Sequence, residues 1–180
     1  MTHIINPKIT VRQKCIIIGT ILGGSSIIMP KKGKNCYLSM RSKDLNWLNF
    51  KAKELNNLAT KEPIIAEKTY RWHSVCYPIF NEFYEMFYKD KERNLKIETL
   101  NLLQDLSIAI WFKDCGNINK NGSITFNTHV WNKNGSEIVC EYFNSLEWKS
   151  SVFTERKNYR VKIEEQSAKE VIKMCTDIGL

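Results

Sequence analysis

The side chains that could do chemistry in this chain of 180 residues are few and widely spaced. Cys115 follows an apolar run, but a thiol acts as a catalytic nucleophile only when a base lies nearby, and no candidate base is visible around it. His73 and His129 lie outside any spacing that is typical of metal ligands. The sequence therefore indicates neither a nucleophilic catalyst nor a paired histidine site for a metal.

Basic and polar side chains alternate with apolar ones along several short stretches, and this pattern could bind a polyanion. The chain has 27 Lys and Arg against 19 Asp and Glu, a formal net charge of +8 and a pI near 9.2. Such a balance favours nucleic acid as a partner. Arginine can read guanine and asparagine can read adenine, while lysines at hairpin tips suit phosphates. The predicted nucleic-acid-binding residues are Lys31, Lys32, Lys34, Arg41, Arg71, His73, Lys120, Thr125, Asn127, His129, Arg160 and Lys162. The alternative is that they form the solvated face of amphipathic strands.

Elements that position these residues follow in the same order in both halves of the chain. The pattern in each half predicts a helix, two strands, a helix, two strands and a helix. In the first half we expect an apolar helix within Cys15–Ile28, strands Ser25–Lys32 and Lys34–Arg41, a helix from Ser42 or Asp44 to about Ala59, a strand Glu67–Ser74, and a helix from Pro78 to about Lys89. In the second half we expect a helix Leu100–Asp114, strands Asn117–Lys120 and Ser123–Val130, a helix Ser136–Leu146, strands Lys149–Thr154 and Asn158–Ile163, and a helix Ser167–Cys175.

The two apolar runs, one in each half, are predicted to pack against each other. Cys15–Ile28 and Leu106–Ile118 have almost no polar face, so protein or lipid must surround them. Gly19 and Gly23 are four residues apart and share one helix face, which allows another backbone to approach closely. Neither run is long enough to cross a membrane, which takes about 20 predominantly apolar residues.

The same two runs resemble the signatures of the LAGLIDADG homing endonuclease and maturase family. IIGTILGGSS is similar to the first signature, IIGxLLGDGS, and IAIWFKDCGN is similar to the second, LAIWFMDDGS. The segments YRWHS, GSITFNT and NYRVKI resemble strands of the single-chain, two-repeat branch, so the resemblance extends over Lys14–Ile178. It implies an α+β fold of two pseudo-symmetric αββαββα repeats that form a β-saddle around central packed helices. We expect an N-terminal extension 1–13 and repeats 14–94 and 95–180.

The departures from the signatures concern the catalytic positions. In the family, the eighth signature position is an acidic residue that binds a divalent metal; here the first signature has Gly24 and the second has Cys115. Mg²⁺ prefers oxygen ligands, which neither residue supplies. Asp114 precedes the second position by one residue, about 100° around the helix. The resemblance therefore implies a scaffold that has lost its catalytic acids.

We therefore expect a catalytically inactive, monomeric nucleic-acid-binding protein without a cofactor, whose target is double-stranded DNA or structured RNA. One alternative is an RNA-binding maturase or a component of a ribonucleoprotein particle such as an organellar ribosome, which would add protein partners. Another is an active homing endonuclease with atypical ligands for Mg²⁺. A membrane is not expected as a partner. The cysteines stand mostly in apolar contexts without zinc-like spacing, which is typical of reduced thiols in a reducing compartment. The richness in Lys, Asn and Ile suggests an AT-rich genome, so we predict an intracellular protein of mitochondria or another organelle.

Overall fold

The described part of the chain, residues 6–179 of the computed structural model, contains seven α-helices and ten β-strands. The helices are α1 (Val11–Leu22), α2 (Leu45–Glu54), α3 (Ile79–Phe87), α4 (Ile97–Leu100), α5 (Asp105–Cys115), α6 (Asn132–Ser145) and α7 (Glu165–Asp177). The strands are β1 (Ser26–Ile28), β2 (Tyr37–Ser42), β3 (Ile64–Ala66), β4 (Thr69–His73), β5 (Tyr88–Lys89), β6 (Glu92–Arg93), β7 (Gly116–Ile118), β8 (Ile124–Phe126), β9 (Ser150–Glu155) and β10 (Asn158–Ile163). Single 3₁₀ turns follow α2 at Asn56–Leu58 and precede α6 at His129–Trp131.

The chain divides into two compact units, and the division runs through α1. The first unit contains the chain as far as Ile16 together with Ser25–Met86. The second contains Ile17–Gly24 and the chain from Phe87 onward. The repeats predicted from the sequence, 14–94 and 95–180, are continuous ranges defined by the order of elements. The two units are instead defined by which residues pack together, so the end of α1 belongs to the second unit.

The first unit is built on an antiparallel sheet in the order β1-β2-β4-β3. One face of this sheet is apolar because alternate residues of a strand face the same side, and α2 packs on it. Leu38, Met40 and Trp72 on that face are almost completely buried. The carboxylate of Asp44, one of the two predicted starts of this helix, caps α2 by accepting a hydrogen bond from the Trp47 N–H at 3.0 Å.

The second unit has the same sheet topology, in the order β7-β8-β10-β9, and α6 packs on β9 and β10. Its core is aromatic. The Trp111 ring lies 4.8 Å from that of Phe126 and 5.6 Å from that of Phe143, between ring centroids. The first pair is tilted and the second is stacked, and buried aromatic rings of this size dominate the energetics of a core.

The end of α1 packs closely on α5 within the second unit. A Cβ added to Gly19 would lie 2.9 Å from Ile110 Cβ and closer still to the Ser107 carbonyl oxygen. A Cβ added to Gly23 would overlap that of Asp114. No other residue type fits these two positions without a shift of α5, which confirms the prediction that the two signature helices are packing partners.

The predicted fold class, α+β with two repeats of the same order, is confirmed by this arrangement. Several element boundaries were predicted wrongly. The helix predicted over Leu100–Asp114 begins at Asp105, where an acidic side chain favours a helix N-terminus, because Leu100 is the last residue of the separate short helix α4. The hairpin β5–β6 and the edge strand β3 were not predicted, because two or three residues are too few to show a period.

Two strands of the predicted hairpins are shorter than expected. The predicted strand Ser25–Lys32 ends at Ile28, since Pro30 lacks an N–H for the ladder. The predicted strand Ser123–Val130 ends at Phe126, because the next residues bond elsewhere and then form the 3₁₀ turn before α6.

The six cysteines all lie within the described residues and form no disulfide; Cys15 and Cys36 are buried, while the other four are half-buried. Burial raises the pKa of the Cys36 and Cys175 thiols, so both stay protonated at neutral pH.

Among residues 6–179 there is no helix both long and apolar enough to span a lipid bilayer.

Candidate nucleic-acid interface

Two arginines of the first sheet stand directly opposite each other on its outward face. Arg41 of β2 pairs in register with Arg71 of β4, and Ile64 of β3 lies opposite Arg71 on the other side. Side chains of opposed residues are only about 5 Å apart at Cβ, so the two like charges repel. No carboxylate among the described residues pairs with either guanidinium, and Arg71 Nε is buried without a hydrogen-bond partner.

His73 extends this row along β4, opposite Ser39. Burial lowers the pKa of His73, and the charges of Arg71 and Arg41 lower it further. The imidazole is therefore neutral near pH 7, with Nδ1 buried and without a partner. Its ring makes a T-shaped contact with the ring of Tyr37, with 5.5 Å between the two centroids. This group offers a neutral donor or acceptor beside two cations.

The loop between β1 and β2 contains three lysines. Lys31, Lys32 and Lys34 are exposed, as predicted for a hairpin tip. The turn uses Gly33 at φ +145°, a conformation that favours glycine. The loop is held to α3 because Asn81 Oδ1 accepts the Cys36 N–H at 2.8 Å. Anchored in this way, the loop presents its ammonium groups to solvent, where they could contact phosphates.

The outward cations of the second sheet, unlike those of the first, are already paired. Arg160 forms an ion pair with Glu155, and Lys162 Nζ lies 3.1 Å from Glu164 Oε1. Phe153 of β9 stands opposite Arg160 and is 37% exposed. Lys120 is exposed beside the Asn121-Gly122 turn, a dipeptide typical of hairpins, in which Gly122 has a φ of +78°.

Three predicted contact residues of the second half differ from expectation, one in its exposure and two in their position. Thr125 does face outward, opposite Asn117 and Lys162, but it is only 4% exposed, since its hydroxyl accepts a hydrogen bond from Asn119 Nδ2 at 3.0 Å. Asn127 and His129 were expected to continue the strand, and this is wrong. Asn127 lies past the end of β8, where its Nδ2 donates to the Cys115 carbonyl at 2.7 Å, and His129 is exposed in the 3₁₀ turn.

Each sheet also has an exposed apolar side chain beside an arginine, which the sequence analysis missed. Ile64 is 50% exposed opposite Arg71, and Phe153 has the same relation to Arg160. In the major groove, arginine binds the guanine edge and an apolar side chain contacts the thymine methyl group. The signal for Ile64 was the stretch Ile-Ile-Ala ahead of a Glu-Lys turn, which is typical of a short strand.

The two signature segments reach their eighth positions, Gly24 and Cys115, at the ends of α1 and α5. Gly24 is exposed at φ +109°, with open space where a side chain would be. Arg93, also missed from the sequence, donates from Nη1 to the Ile21 carbonyl at 3.4 Å and from Nη2 to the Gly24 carbonyl at 3.2 Å. Trp131 Nε1 donates to the Leu22 carbonyl at 3.1 Å. A cation and an indole thus satisfy the last carbonyls of α1, where the helix dipole is negative.

A divalent metal does not fit the side chains at these helix ends. Gly24 has no donor, Cys115 offers a thiol, and Asp114 supplies one carboxylate beside Gly23. Within the described residues, no three His, Cys, Asp or Glu side chains are grouped closely enough to hold a metal ion. Mg²⁺ needs several oxygen ligands at close to octahedral geometry, so this donor set is inadequate for it.

The repeated sheet topology, the glycine-packed signature helices and the basic outward faces define a two-repeat protein of the homing-endonuclease fold class. The family model described as the LAGLIDADG DNA endonuclease family matches residues 14–171, so the chain belongs to that family.

Solved structures of this fold are similar to the chain over nearly its whole length. The homing endonuclease I-WcaI, solved bound to its DNA recognition sequence, has a TM-score of 0.87 at 19% identity, with 95% of this chain and 83% of that chain covered. I-DmoI, solved in complex with DNA and Mn, has a TM-score of 0.63 at 15% identity, covering 94% and 98%. Full-length DUF199/WhiA from Thermatoga maritima has a TM-score of 0.58 at 12% identity, covering 97% of this chain and 58% of that chain. No curated protein matches the chain significantly.

Proposed function

We propose that this protein binds double-stranded DNA through the outward faces of its two four-stranded sheets and does not cleave it. Membership of a DNA endonuclease family supports a nucleic-acid partner, as do relatives of the same fold that were solved with DNA. The net charge of +8 favours the same class of partner. We further propose that the protein acts as a monomer, inside an organelle such as the mitochondrion.

The observation that carries this proposal is the opposition of Arg41 and Arg71. Like charges directly opposite each other destabilise a sheet by roughly 0.2–1 kcal/mol, and no described carboxylate offsets this cost. A phosphate between the two guanidinium groups, or a guanine edge, would turn the repulsion into two charge-assisted hydrogen bonds. The arrangement is unfavourable in the free protein and favourable on a polyanion, as expected of a binding surface.

The absence of cleavage rests on the donor groups at the helix ends. Metal-assisted cleavage of a phosphodiester requires ligands that hold the ion over the scissile bond. Asp114 is the one carboxylate at the signature positions, and Gly24 and Cys115 do not complete a hard oxygen site. The scaffold is therefore proposed to have kept binding without catalysis.

Fluorescence anisotropy with a labelled duplex of random sequence tests the proposal. If about six phosphates are contacted, we expect affinity to fall roughly 10³-fold between about 50 and 200 mM salt. Arg41→Gln with Arg71→Gln should weaken binding, while Lys133→Gln with Lys169→Gln should not, since these lysines are on helices and already face Glu137 and Glu165. Binding that is independent of salt, or no binding to any duplex, would contradict the proposal.

Structured RNA is the partner that competes with duplex DNA, as in a maturase or a ribonucleoprotein component. The same labelled duplex can be competed with unlabelled duplex DNA and with folded intron RNA. Displacement by DNA at lower concentration supports the proposal. Displacement by RNA at a concentration more than tenfold lower would assign the sheets to RNA instead.

A further inference from the structure

Nearly all of the net positive charge lies in the first unit. The residues of that unit include 13 Lys and Arg against 6 Asp and Glu, a net charge of +7. The second unit includes 14 Lys and Arg against 13 Asp and Glu, a net charge of +1. The two units have the same sheet topology, so this difference does not come from a difference in fold.

The imbalance is sharpest on the sheets themselves. None of the residues in β1–β4 is acidic, and the loop between β1 and β2 adds three exposed lysines without a carboxylate. On the second sheet, Glu155 pairs with Arg160 and Glu164 pairs with Lys162. A cation that is paired with a carboxylate attracts a phosphate only weakly at distances near the Debye length of about 8–10 Å. Its contact with the phosphate also contributes little to the release of counterions that drives binding.

We propose that the first sheet anchors the nucleic acid and supplies most of the electrostatic binding, while the second sheet is held in a partly self-neutralised state. This inference rests on the proposed function. Arg160 and Lys162 engage the nucleic acid only by giving up Glu155 and Glu164, so their net contribution is small. Lys120, Arg156 and Lys157, which are exposed at the turns of the second unit, remain for peripheral phosphate contacts.

Glu155 and Glu164 act as local inhibitors of binding in this arrangement. Each competes with phosphate for the same cation, and each adds a negative charge beside the approaching polyanion. Removing them should therefore strengthen binding, although the change adds no positive charge. A surface on which all cations contribute equally would not be expected to respond so strongly to the loss of two paired carboxylates.

Two matched double variants of the full chain test the inference on the labelled random duplex. Arg41→Gln with Arg71→Gln removes two unpaired cations, and Arg160→Gln with Glu155→Gln removes a cation together with its partner carboxylate. The first variant should bind more weakly at low salt and should reduce the magnitude of the slope of log affinity against log salt by about 2. Its affinity should then fall about tenfold less than that of the unaltered chain over a fourfold rise in salt. The second should change affinity less than about threefold, because it removes one positive and one negative charge and leaves the net charge of the surface unchanged.

A third variant, Glu155→Gln with Glu164→Gln, should bind at least threefold more tightly than the unaltered chain. Thermal melting of all three variants excludes unfolding as the cause; the first should melt no lower than the unaltered protein, since it relieves repulsion between two arginines. Equal losses from the first two variants, or a greater loss from the second, would overturn the inference while leaving the proposed function intact. No binding by the unaltered chain to DNA or RNA would overturn the proposed function itself.

Discussion

Gly23 lies against Asp114 so closely that a methyl group on the glycine would overlap the Cβ of the aspartate and lie 3.0 Å from Oδ2. The two residues occupy the same position, the seventh, in the two signatures. Gly19 and Ile110 at the third positions are related in the same way. The contact between the signature segments is therefore made by corresponding residues, and the smaller member of each pair, a glycine, belongs to the first signature.

Gly23→Ala tests this contact, because the clash involves the side chain of one named residue. We expect a loss of about 1–3 kcal/mol in the free energy of unfolding, as is typical of overpacking. Combining it with Asp114→Gly should recover most of that loss, since the opposing Cβ is then absent. Chemical denaturation of the two single variants and the double variant measures the coupling free energy.

Asp114→Ala is the matched control, because it removes the carboxylate but keeps the Cβ that overlaps. It should not rescue Gly23→Ala. Equal rescue by alanine and by glycine would mean that charge, and not the close approach of the two backbones, limits this position.

Arg93 is predicted to stabilise the end of α1 through its fork of N–H groups. It bonds two carbonyls and lies 4.9 Å above the Trp131 ring, and although burial lowers the pKa of its guanidinium, the group stays charged. Arg93→Met keeps the apolar stem but leaves the carbonyls unpaired, and should cost about 1–3 kcal/mol. Arg93→Lys should recover only part of this, since one ammonium nitrogen replaces the planar fork whose two nitrogens reach the two oxygens. Denaturant midpoints that are unchanged in Arg93→Met would show that solvent replaces the cap.

What the sequence predicted well was determined by repeated local pattern. The alternation in Tyr37–Ser42 correctly indicated a strand of the first sheet, and Gly19 and Gly23 of the first signature correctly indicated the helix contact. The positions of Asn127 and Arg93 depend on hydrogen bonds to Cys115 and to Ile21, residues 12 and 72 positions away in the chain. Periodicity carries no information on such distant partners, so the end of β8 and the capping cation were missed.

The sequence pattern also could not predict which cations are paired with carboxylates. Arg71 and Arg160 are equivalent in an alternating strand, yet the first faces Arg41 and the second contacts Glu155. Which residue stands opposite depends on strand register, and register depends on the loops and on the fit of the apolar face. The difference between the two sheets could therefore be found only in the folded chain.

The pair of Arg12 and Glu54 gives a stability term with a defined pH dependence. The hydrogen bonds from Arg12 lower the pKa of Glu54, with Nε to Oε2 at 2.8 Å, while the same bond raises the pKa of Arg12. A carboxyl whose pKa is depressed on folding stabilises the protein above its unfolded pKa of about 4.3, and this is lost as pH falls through the folded value. The side chains are 47% and 26% exposed, so we expect only about 0.5–1 kcal/mol at pH 7.

Glu54→Gln should therefore be less stable than the unaltered protein at pH 7, with the gap closing below about pH 4. Thermal melts across pH measure the gap. Glu137→Gln is the matched control, because its partner Lys133 is one helical turn away and both are more exposed; its effect should not exceed about 0.3–0.5 kcal/mol. A gap for Glu54→Gln that stays constant down to acidic pH would assign the loss to packing.

The unaltered protein should not cut plasmid or duplex DNA in Mg²⁺ or Mn²⁺, since the signature positions hold Gly24 and Cys115. Incubation with supercoiled plasmid, resolved on a gel, detects nicking at low levels. Metal-dependent cutting that Asp114→Asn abolishes would make the chain an enzyme with atypical ligands.

Acids restored at the two positions should lower the melting temperature, because carboxylates at helix C-termini meet the negative end of the dipole and repel nearby acids such as Asp114. Backbone strain must be separated from this, since Gly24 at φ +109° disfavours any side chain although the space around it is open. Gly24→Asn with Cys115→Asn suffers the same strain without the charge, so Gly24→Asp with Cys115→Asp should melt lower than this neutral pair at pH 7. As pH falls through the carboxyl range the acidic pair becomes neutral, and the difference between the variants should close. A difference that persists when both are neutral would show that loss of the acids did not stabilise the fold through charge.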